Sequence, residues 1–296
     1  MRRKSNRSAR PRHWDSSQAR GCYSGRSVYR LLALDLDGTL LRKDHTVDPR
    51  DIGAIKELRR AGVTITICTG RLQSGSLGAA AACDITGPIA CMEGSHLVEL
   101  ATNTTLAHHP MTGDAIETLR SAITDNGLAS FVFDASGIHH DQAGEPYAKY
   151  VATWSPNLRV VEDHHLAWQT LPLATVAIGE PEAVAAALAR VRAHGGMFNV
   201  SFAVSAVPGK HAMLVRALGP SKGTALAELC KLVGCPLSEA VAIGDWVNDV
   251  PMFEVAGRSF AMGSAPDAVR DKASDSLTAI AGEGGGIAEA IKRAWG

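Results

Sequence analysis

One stretch near the start of the chain constrains the fold more than any other. Residues 31–34 are all apolar, and Asp35 and Asp37 follow two positions apart, with Gly38 directly after them. A short continuous apolar run is typical of a strand buried on both faces of a parallel sheet. Two acids at the end of such a strand are costly unless a cation or a reaction uses them. The stretch predicts either a strand end with two solvated acids or a functional site at the carboxyl edge of a sheet.

The spacing of these acids excludes an EF-hand calcium loop. Such a loop needs glycine at its sixth position and glutamate at its twelfth, and counting from Asp35 those positions hold Leu40 and Thr46. Mg²⁺ fits the pair better, because proteins typically hold it through one or two carboxylates and substrate phosphate oxygens.

Composition places the chain among ordinary globular proteins. Its 296 residues are 46% hydrophobic and 20% charged with zero formal net charge, which is enough for one large or two medium domains. A neutral chain gives no support for nucleic acid or a membrane surface as the main partner, and no apolar run is long enough to predict a membrane span. Six scattered cysteines without a C-x-x-C spacing favour a reducing, cytoplasmic setting.

Residues 1–28 differ from the rest of the chain. Arginine and lysine recur in this basic leader, Asp15 is its only acid, and apolar residues are few. We expect the leader to be disordered, because so little apolar surface cannot offset the loss of chain entropy. An organelle transit peptide and a misassigned start codon are alternative explanations.

Strands and helices alternate from residue 29 to about residue 110, as in an α/β unit. Asp48 and Pro49 predict the start of a helix that closes near Gly62. Residues 63–67 are β-branched throughout and predict a second buried strand, which ends at Thr69.

The alternation is less strict between residues 111 and 218, which predicts an inserted α+β module. Strict alternation returns in residues 219–296, where a helix beginning near Ser221 precedes a third buried strand at residues 240–243. The sequence therefore predicts an α/β fold interrupted by a second unit.

Polar residues follow each of the three predicted buried strands, and Lys222 lies at the start of the helix before the third. Because the carboxyl ends of parallel strands meet at one edge of a sheet, we expect these side chains to converge. Crowded carboxylates repel one another unless a divalent cation and a lysine offset them, and the mixture suits a phosphoryl group bridged to Mg²⁺. The residues at the strand ends are Asp35, Asp37, Thr69, Gly70, Asp245 and Asp249.

Four short motifs contain these residues: Leu34-Asp35-Leu36-Asp37-Gly38-Thr39-Leu40, Thr69-Gly70-Arg71, Ser221-Lys222-Gly223 and Gly244-Asp245 with Asn248-Asp249. In their order and spacing, these motifs resemble those of the haloacid dehalogenase superfamily. The large insert between the second and third motifs is similar to that of the Cof-type phosphatases. The resemblance spans about residues 29–295. It implies a Rossmann-like parallel-sheet core from residues 29–110 and 219–296, with an inserted α+β cap domain at 111–218 that selects the substrate.

The chemistry of these residues agrees with the roles that the resemblance implies. Asp35 is the expected nucleophile and Asp37 the expected general acid and base, while Lys222 neutralises charge on the nucleophile and the phosphate. The expected phosphate contacts are Thr69, Gly70, Lys222 and Asn248. The expected metal ligands are Asp35, Asp37 through its backbone carbonyl, Asp245 and Asp249.

Two positions depart from the family pattern. Glu93 stands where many Cof-type members have asparagine, and a glutamate near an anionic site is unfavourable unless it meets Arg71 or a substrate hydroxyl. Trp246 lies inside the fourth motif, and either walls the substrate entrance or packs against the cap. Arg71, Glu93 and Trp246 are therefore candidate substrate contacts.

The sequence as a whole predicts a Mg²⁺-dependent phosphatase that hydrolyses the phosphomonoester of a small metabolite, a sugar phosphate or a phosphorylated cofactor, through an aspartyl-phosphate. A phosphomutase on the same scaffold and a non-catalytic binding module that retains the fold are the alternatives. We expect a cytoplasmic monomer or homodimer that takes neither nucleic acid nor membrane as its partner.

Overall fold

The computed structural model describes residues 28–162, 164–194, 198–204 and 207–296. The predicted disorder of the basic leader therefore lies outside the described residues, apart from residue 28. The strands are β1 (Leu31–Leu34), β2 (Thr64–Ile67), β3 (Pro88–Cys91), β4 (His96–Glu99), β5 (Thr104–His108), β6 (Ala129–Asp134), β7 (Gly137–His140), β8 (Leu158–Val160), β9 (Ala174–Gly179), β10 (Phe198–Val204), β11 (His211–Ala217), β12 (Ala240–Gly244), β13 (Arg258–Ala261) and β14 (Asp275–Ser276).

Ten helices accompany these strands in the described part of the chain. They are α1 (Pro49–Arg60), α2 (Gln73–Ala82), α3 (Asp114–Thr124), α4 (Ala148–Val151), α5 (His164–Trp168), α6 (Pro181–Ala193), α7 (Lys222–Val233), α8 (Val250–Val255), α9 (Asp267–Arg270) and α10 (Gly286–Trp295). None of the helices in the described ranges is both long and apolar enough to cross a lipid bilayer.

The apolar run before Asp35 forms an inner strand of a parallel sheet. Strand β1 lies between β2 and β12 in a five-stranded sheet of order β14-β13-β12-β1-β2, in which every neighbouring pair is parallel. All four side chains of β1 are buried, because apolar residues from both faces of the sheet cover it. This arrangement confirms the predicted α/β class with a parallel-sheet core.

The predicted insert contains a second, mostly antiparallel sheet of six strands in the order β10-β11-β9-β6-β7-β8. One face packs against helices α3 and α6. The opposite face carries Phe131, Phe133 and Val176, and it packs against Leu72 and Met92 from the region of the parallel sheet. That second contact brings the insert onto the carboxyl edge of the parallel sheet. The functional division into core and cap at residues 110 and 218 stays a prediction.

Some elements of the fold differ from the expectations. Strand β4 pairs with both β3 and β5 in a small antiparallel sheet that the sequence pattern did not indicate, because β5 is largely exposed and carries no apolar alternation. Within the insert, the irregular connection after β7 is a 3₁₀ segment, Gln142–Tyr147, followed by the single turn α4. Pro146 lies inside that 3₁₀ segment and cannot donate a backbone hydrogen bond.

Helix α1 begins as predicted. Asp48 is the N-cap and its side chain accepts a hydrogen bond from the amide of Arg50, while Pro49 occupies the first helical position. One turn further, the buried carboxylate of Asp51 accepts hydrogen bonds from the amides of Gly285 (2.7 Å) and Ala288 (2.8 Å). Asp51 therefore caps the start of α10 and ties the last helix to the first.

Removing this contact should destabilise the protein. We expect Asp51→Ala to lower the free energy of unfolding by about 1–3 kcal/mol, because two amides at the start of α10 lose their acceptor. Urea unfolding followed by circular dichroism measures the change. Glu57→Ala alters an exposed acid on the same helix and should shift the midpoint little. Equal midpoints for the two variants would contradict the capping role.

Candidate active site

The backbone ladder of the parallel sheet positions the first acid. The amide of Asp35 donates to the carbonyl of Ile243 (3.0 Å), and the amide of Cys68 donates to the carbonyl of Leu34 (2.9 Å). Strands β1, β2 and β12 thus stay paired up to their carboxyl ends. Asp35, Thr69 and Asp245 follow these ends at one edge of the sheet, as predicted.

A buried lysine joins two of the acids. Lys222, the first residue of α7, places its Nζ 2.5 Å from Oδ1 of Asp35 and 2.6 Å from Oδ1 of Asp249. All three side chains are nearly inaccessible to solvent. A cation in the first turn of a helix is unfavourable because of the helix dipole, and burying it is unfavourable because it loses its hydration. The two carboxylates must offset both free-energy costs of the Lys222 ammonium.

The segment after β12 is folded around the carboxylate of Asp249. Its Oδ2 accepts hydrogen bonds from the amides of Asp245 (2.8 Å) and Trp246 (3.0 Å). Gly244 leaves room for this carboxylate, since a Cβ at that position would lie 2.3 Å from Cγ of Asp249. Asp249 therefore fixes the turn that presents Asp245, in addition to holding Lys222.

Asp245 is held from the other side by the first motif. Its Oδ1 accepts a hydrogen bond from the hydroxyl of Thr39 (3.0 Å). Gly38 has a positive φ of 82°, and a Cβ there would lie 2.3 Å from Oδ2 of Asp245. Only glycine combines this backbone conformation with so close an approach, which explains the glycine after the two acids.

Asp35, Asp245 and Asp249 form a group that fits a cation. Each contributes a carboxylate oxygen, and these oxygens all lie within 4.8 Å of one another. Three carboxylates against the single ammonium of Lys222 leave two negative charges without compensation, which is the charge of one divalent cation. Both oxygens of Asp249 already accept hydrogen bonds, so Asp35 and Asp245 are better placed to offer an oxygen.

The pKa values of the site reflect the same excess of negative charge. Burial raises the pKa of Asp35 well above its ordinary value, opposed by Lys222 and reinforced by Asp249 and Asp245. Burial and the neighbouring charge of Asp249 raise the pKa of Asp245 to about 6. Burial acts to lower the pKa of Lys222, but the carboxylates of Asp249 and Asp35 outweigh it and keep the pKa well above the usual range. The lysine is therefore charged, and an added cation would favour ionised acids.

Asp37 is not part of that group and contacts Arg71 instead. The guanidinium donates to both carboxylate oxygens of Asp37, through Nε at 2.8 Å and through Nη2. The Asp37 side chain is 58% exposed, whereas that of Arg71 is 10% exposed. A planar two-point contact of this kind fixes the orientation of the acid while leaving it open to solvent.

The predicted phosphate contacts lie beside the acids, although not all of them are free. Thr69 is buried, and its hydroxyl oxygen accepts a hydrogen bond from the amide of Arg71 (3.1 Å), so its proton remains available to an anion. Asn248 instead donates its Nδ2 to Oε1 of Glu93 (2.8 Å), and its Oδ1 is buried with no partner among the described residues.

Glu93 does not meet Arg71, one of the two partners the sequence suggested. The structure pairs it with Arg216 of β11, whose Nη1 lies 3.7 Å from Oε2 of Glu93, and with Asn248. The side chain of Arg216 is 8% exposed, like that of Glu93, so this ion pair is buried. Sequence reasoning missed Arg216. The available signal was one arginine after Ala212 and Leu214, at the next alternate position of an apolar strand.

Trp246 lies at the rim of the site. Its amide belongs to the turn around Asp249, and the residue is 56% exposed. That exposure favours the interpretation of Trp246 as part of the entrance over the alternative of packing against the insert.

Known proteins resemble this chain over nearly its whole described length. A family model for haloacid dehalogenase-like hydrolases matches residues 32–291. Pyridoxal phosphate phosphatase YbhA of Escherichia coli (strain K12) is 26% identical over 253 residues, which cover 82% of this chain and 91% of that protein. HMP-PP phosphatase of Yersinia pestis (strain Pestoides F) is 25% identical over 243 residues, which cover 80% of this chain and 85% of that protein.

Solved structures share the fold. A haloacid dehalogenase-like hydrolase from Bacteroides thetaiotaomicron has a TM-score of 0.79 at 22% identity and covers 90% of this chain and 99% of its own. A HAD/COF-like hydrolase from Plasmodium vivax has a TM-score of 0.77 at 21% identity, and the match covers 90% of this chain and 96% of that protein. The sugar phosphatase BT4131, described as subclass IIB, has a TM-score of 0.74 at 20% identity, and the match covers 89% of this chain and 98% of that protein.

The family model spans most of the chain, and the parallel sheet carries the motif residues at the edge where the resemblance predicted them. The predicted resemblance and the prediction of a hydrolase are confirmed. This chain belongs to the haloacid dehalogenase-like hydrolases.

Proposed function

We propose that this chain is a Mg²⁺-dependent phosphatase that hydrolyses the phosphomonoester of a small metabolite through an aspartyl-phosphate. The observation that carries the proposal is the buried contact of Asp35 with Lys222 beside the oxygens of Asp245 and Asp249. A buried carboxylate next to fixed positive charge, at an edge that can hold a cation, is suited to attack an anionic phosphoryl group.

In the first step, an oxygen of Asp35 attacks phosphorus in line with the leaving group. The new bond joins Asp35 to phosphorus, and the bond from phosphorus to the substrate oxygen breaks. Asp37 gives its proton to that oxygen, so the leaving group departs as an alcohol. Lys222, the Thr69 hydroxyl and the amide of Gly70 hold the phosphoryl oxygens during the transfer.

In the second step, water attacks the phosphorus of the aspartyl-phosphate. Asp37 takes the proton of the water, the bond between Asp35 and phosphorus breaks, and inorganic phosphate leaves. Asp35 returns as a carboxylate and Asp37 as an acid, so the cycle closes without a further reactant.

Arg71 acts as a positioning residue in this scheme. Its two contacts fix the orientation of the Asp37 side chain, and the exposure of Asp37 leaves this acid open to the leaving group. Because the same guanidinium also contacts the carbonyl of Gly75 in α2 (3.3 Å), its orientation is fixed by the sheet-to-helix turn after β2.

The metal in this proposal would be held by Asp35, Asp245 and the backbone carbonyl of Asp37. When bound, Mg²⁺ supplies positive charge that stabilises the phosphoryl oxygens and keeps the buried acids ionised. Asp249 supports this arrangement from behind, through Lys222 and the amide of Asp245.

The relatives support a small phosphorylated substrate. Their names specify pyridoxal phosphate, HMP-PP and sugar phosphates, each of them a phosphorylated small molecule. We infer a cytoplasmic setting from the five cysteines in the described chain, which are all buried free thiols. A monomeric or homodimeric state stays a prediction.

Two substitutions test the mechanism. We expect Asp35→Asn to abolish the Mg²⁺-dependent hydrolysis of p-nitrophenyl phosphate, because the amide is no nucleophile toward phosphorus. Asp37→Asn should slow turnover by about 10²–10⁴-fold, the usual contribution of general acid–base catalysis. Release of inorganic phosphate measures both effects.

Asp271→Asn, which alters an exposed acid at the end of α9, is the matched control and should keep full activity. An Asp37→Asn effect below tenfold would mean that another group moves the proton. Formation of an isomer of a hexose phosphate without release of phosphate would overturn the phosphatase in favour of a phosphomutase.

Metal binding should depend on pH through Asp245. Its folded-state pKa of about 6 lies above the ordinary 3.8, so its contribution to stability is complete below about pH 4 and is lost as the pH rises through 6. A bound cation reverses this loss. We therefore expect Mg²⁺ to raise the Tm of metal-free protein more at pH 7.5 than at pH 5, as differential scanning fluorimetry measures.

Asp245→Asn should largely remove the Mg²⁺-induced rise at pH 7.5. An equal rise at both pH values in the wild type would place the cation away from Asp245.

A further inference from the structure

The face of the inserted sheet that packs against the parallel-sheet region carries a charged residue, Arg216. Ala212, Leu214 and Arg216 alternate along β11, and the first two join the apolar cluster that contains Leu72 and Met92. Since alternate residues of a strand share a face, Arg216 lies on the same side. It is 6% exposed, so a full positive charge is buried between the two sheets.

The partner of that charge lies beside the proposed phosphoryl contacts. A Cβ at Gly70 would lie 2.8 Å from Oε1 of Glu93, which shows that this carboxylate lies directly against the Gly70 backbone. The charge of Glu93 also helps to raise the pKa of Lys222. The Glu93–Arg216 pair therefore borders the place where a leaving group would extend from the phosphoryl group.

The backbone under Glu93 is strained. Met92 and Glu93 are consecutive non-glycine residues with φ of 48° and 57°, in the left-handed region that side chains disfavour. Strain of this kind persists only where the surrounding structure imposes it, and it is concentrated at functional sites. Here it turns the carboxylate of Glu93 toward Gly70 and Arg216.

Two buried polar atoms next to Glu93 have no hydrogen-bond partner within the described residues. They are Nε of Arg216, a donor, and Oδ1 of Asn248, an acceptor. Both side chains contact the same carboxylate, at Oε2 and at Oε1 respectively. A hydroxyl group satisfies one donor and one acceptor at once, whereas a carboxylate offers no hydrogen and an ammonium offers no acceptor.

We propose that Arg216 is a specificity-determining residue which, with Glu93 and Asn248, forms a charge-neutral subsite for a hydroxyl group of the leaving alcohol. The proposal rests on the phosphatase function above and adds the class of substrate, which is an uncharged, hydroxyl-bearing phosphomonoester. A charged leaving group is disfavoured at this subsite, because Glu93 and Arg216 already compensate each other and a third charge would be left without a partner.

Removing either member of the pair should change the substrate preference in opposite directions. Glu93→Gln leaves the charge of Arg216 without a partner, so kcat/KM for esters with an anionic leaving group should rise relative to that for the uncharged ester. Arg216→Met leaves the carboxylate of Glu93 without a partner, so kcat/KM for esters with a cationic leaving group should rise relative to that for the uncharged ester. The double variant removes both charges, and the preference for an uncharged leaving group should return.

The experiment compares kcat/KM for three phosphomonoesters with different leaving groups: glycerol 3-phosphate (uncharged), 3-phosphoglycerate (anionic) and phosphoethanolamine (cationic). The wild type should prefer glycerol 3-phosphate. Relative to it, we expect Glu93→Gln to favour 3-phosphoglycerate by about tenfold or more, and Arg216→Met to favour phosphoethanolamine similarly, since unit charges about 4 Å apart in a partly buried site interact strongly.

Arg190→Met is the matched control, because Arg190 is an exposed arginine of the same inserted unit, paired with Asp125, and should leave the ratios unchanged. Arg216→Lys keeps the charge and should keep the order of preference even if rates fall.

Ratios that stay within twofold of the wild type in both single variants, or that move in the same direction in both, would overturn the assignment of Arg216 alone. A wild type that releases phosphate from none of these esters, nor from p-nitrophenyl phosphate, would overturn the proposed function and this inference with it.

Discussion

The buried contact between Lys222 and the carboxylates of Asp35 and Asp249 is the interaction on which the rest of the site depends. A lysine with so little exposure at the start of a helix is unfavourable unless acids surround it. The acids in turn come from β1 and from the segment after β12, so the pair of contacts joins two strands of the parallel sheet to α7. Losing Lys222 would leave both carboxylates in the interior without their shared cation.

The same contact separates the roles of the acids. Asp249 is saturated by Lys222 and by two amides, which makes it a structural support for Asp245. Asp35 stays at the end of β1 with one oxygen on the lysine, and Asp37 is turned to Arg71 outside the buried group. Four acids that look equivalent in sequence therefore occupy three different environments. Burial raises the pKa of Asp35 and Asp245, whereas the exposed Asp37 meets solvent and a guanidinium.

The inserted unit contacts the region of the candidate site through packing and charge. An apolar face of its six-stranded sheet covers Leu72 and Met92, and Arg216 projects from that face to Glu93. A buried ion pair between β11 and the turn after β3 helps to fix how the inserted sheet lies on that turn, because each charge needs its partner once both are desolvated. The backbone at Met92 and Glu93, which carries one member of the pair, has positive φ at both residues.

The sequence alone determined the parallel sheet and the group of residues at its edge. Short apolar or β-branched runs are typical of strands buried in a parallel sheet, and the residues that follow such strands meet at its carboxyl edge. The strands β1, β2 and β12 were therefore predictable from local pattern. Sequence could not determine the partners of Arg71, Glu93 and Asn248. Those contacts depend on side chains 34, 123 and 155 positions apart along the chain, so no local pattern encodes them. Only the packing of β11 against the turn after β3 determined that Glu93 pairs with Arg216. A buried charge is stable only beside an opposite charge, and the tertiary structure decides which opposite charge lies next to it.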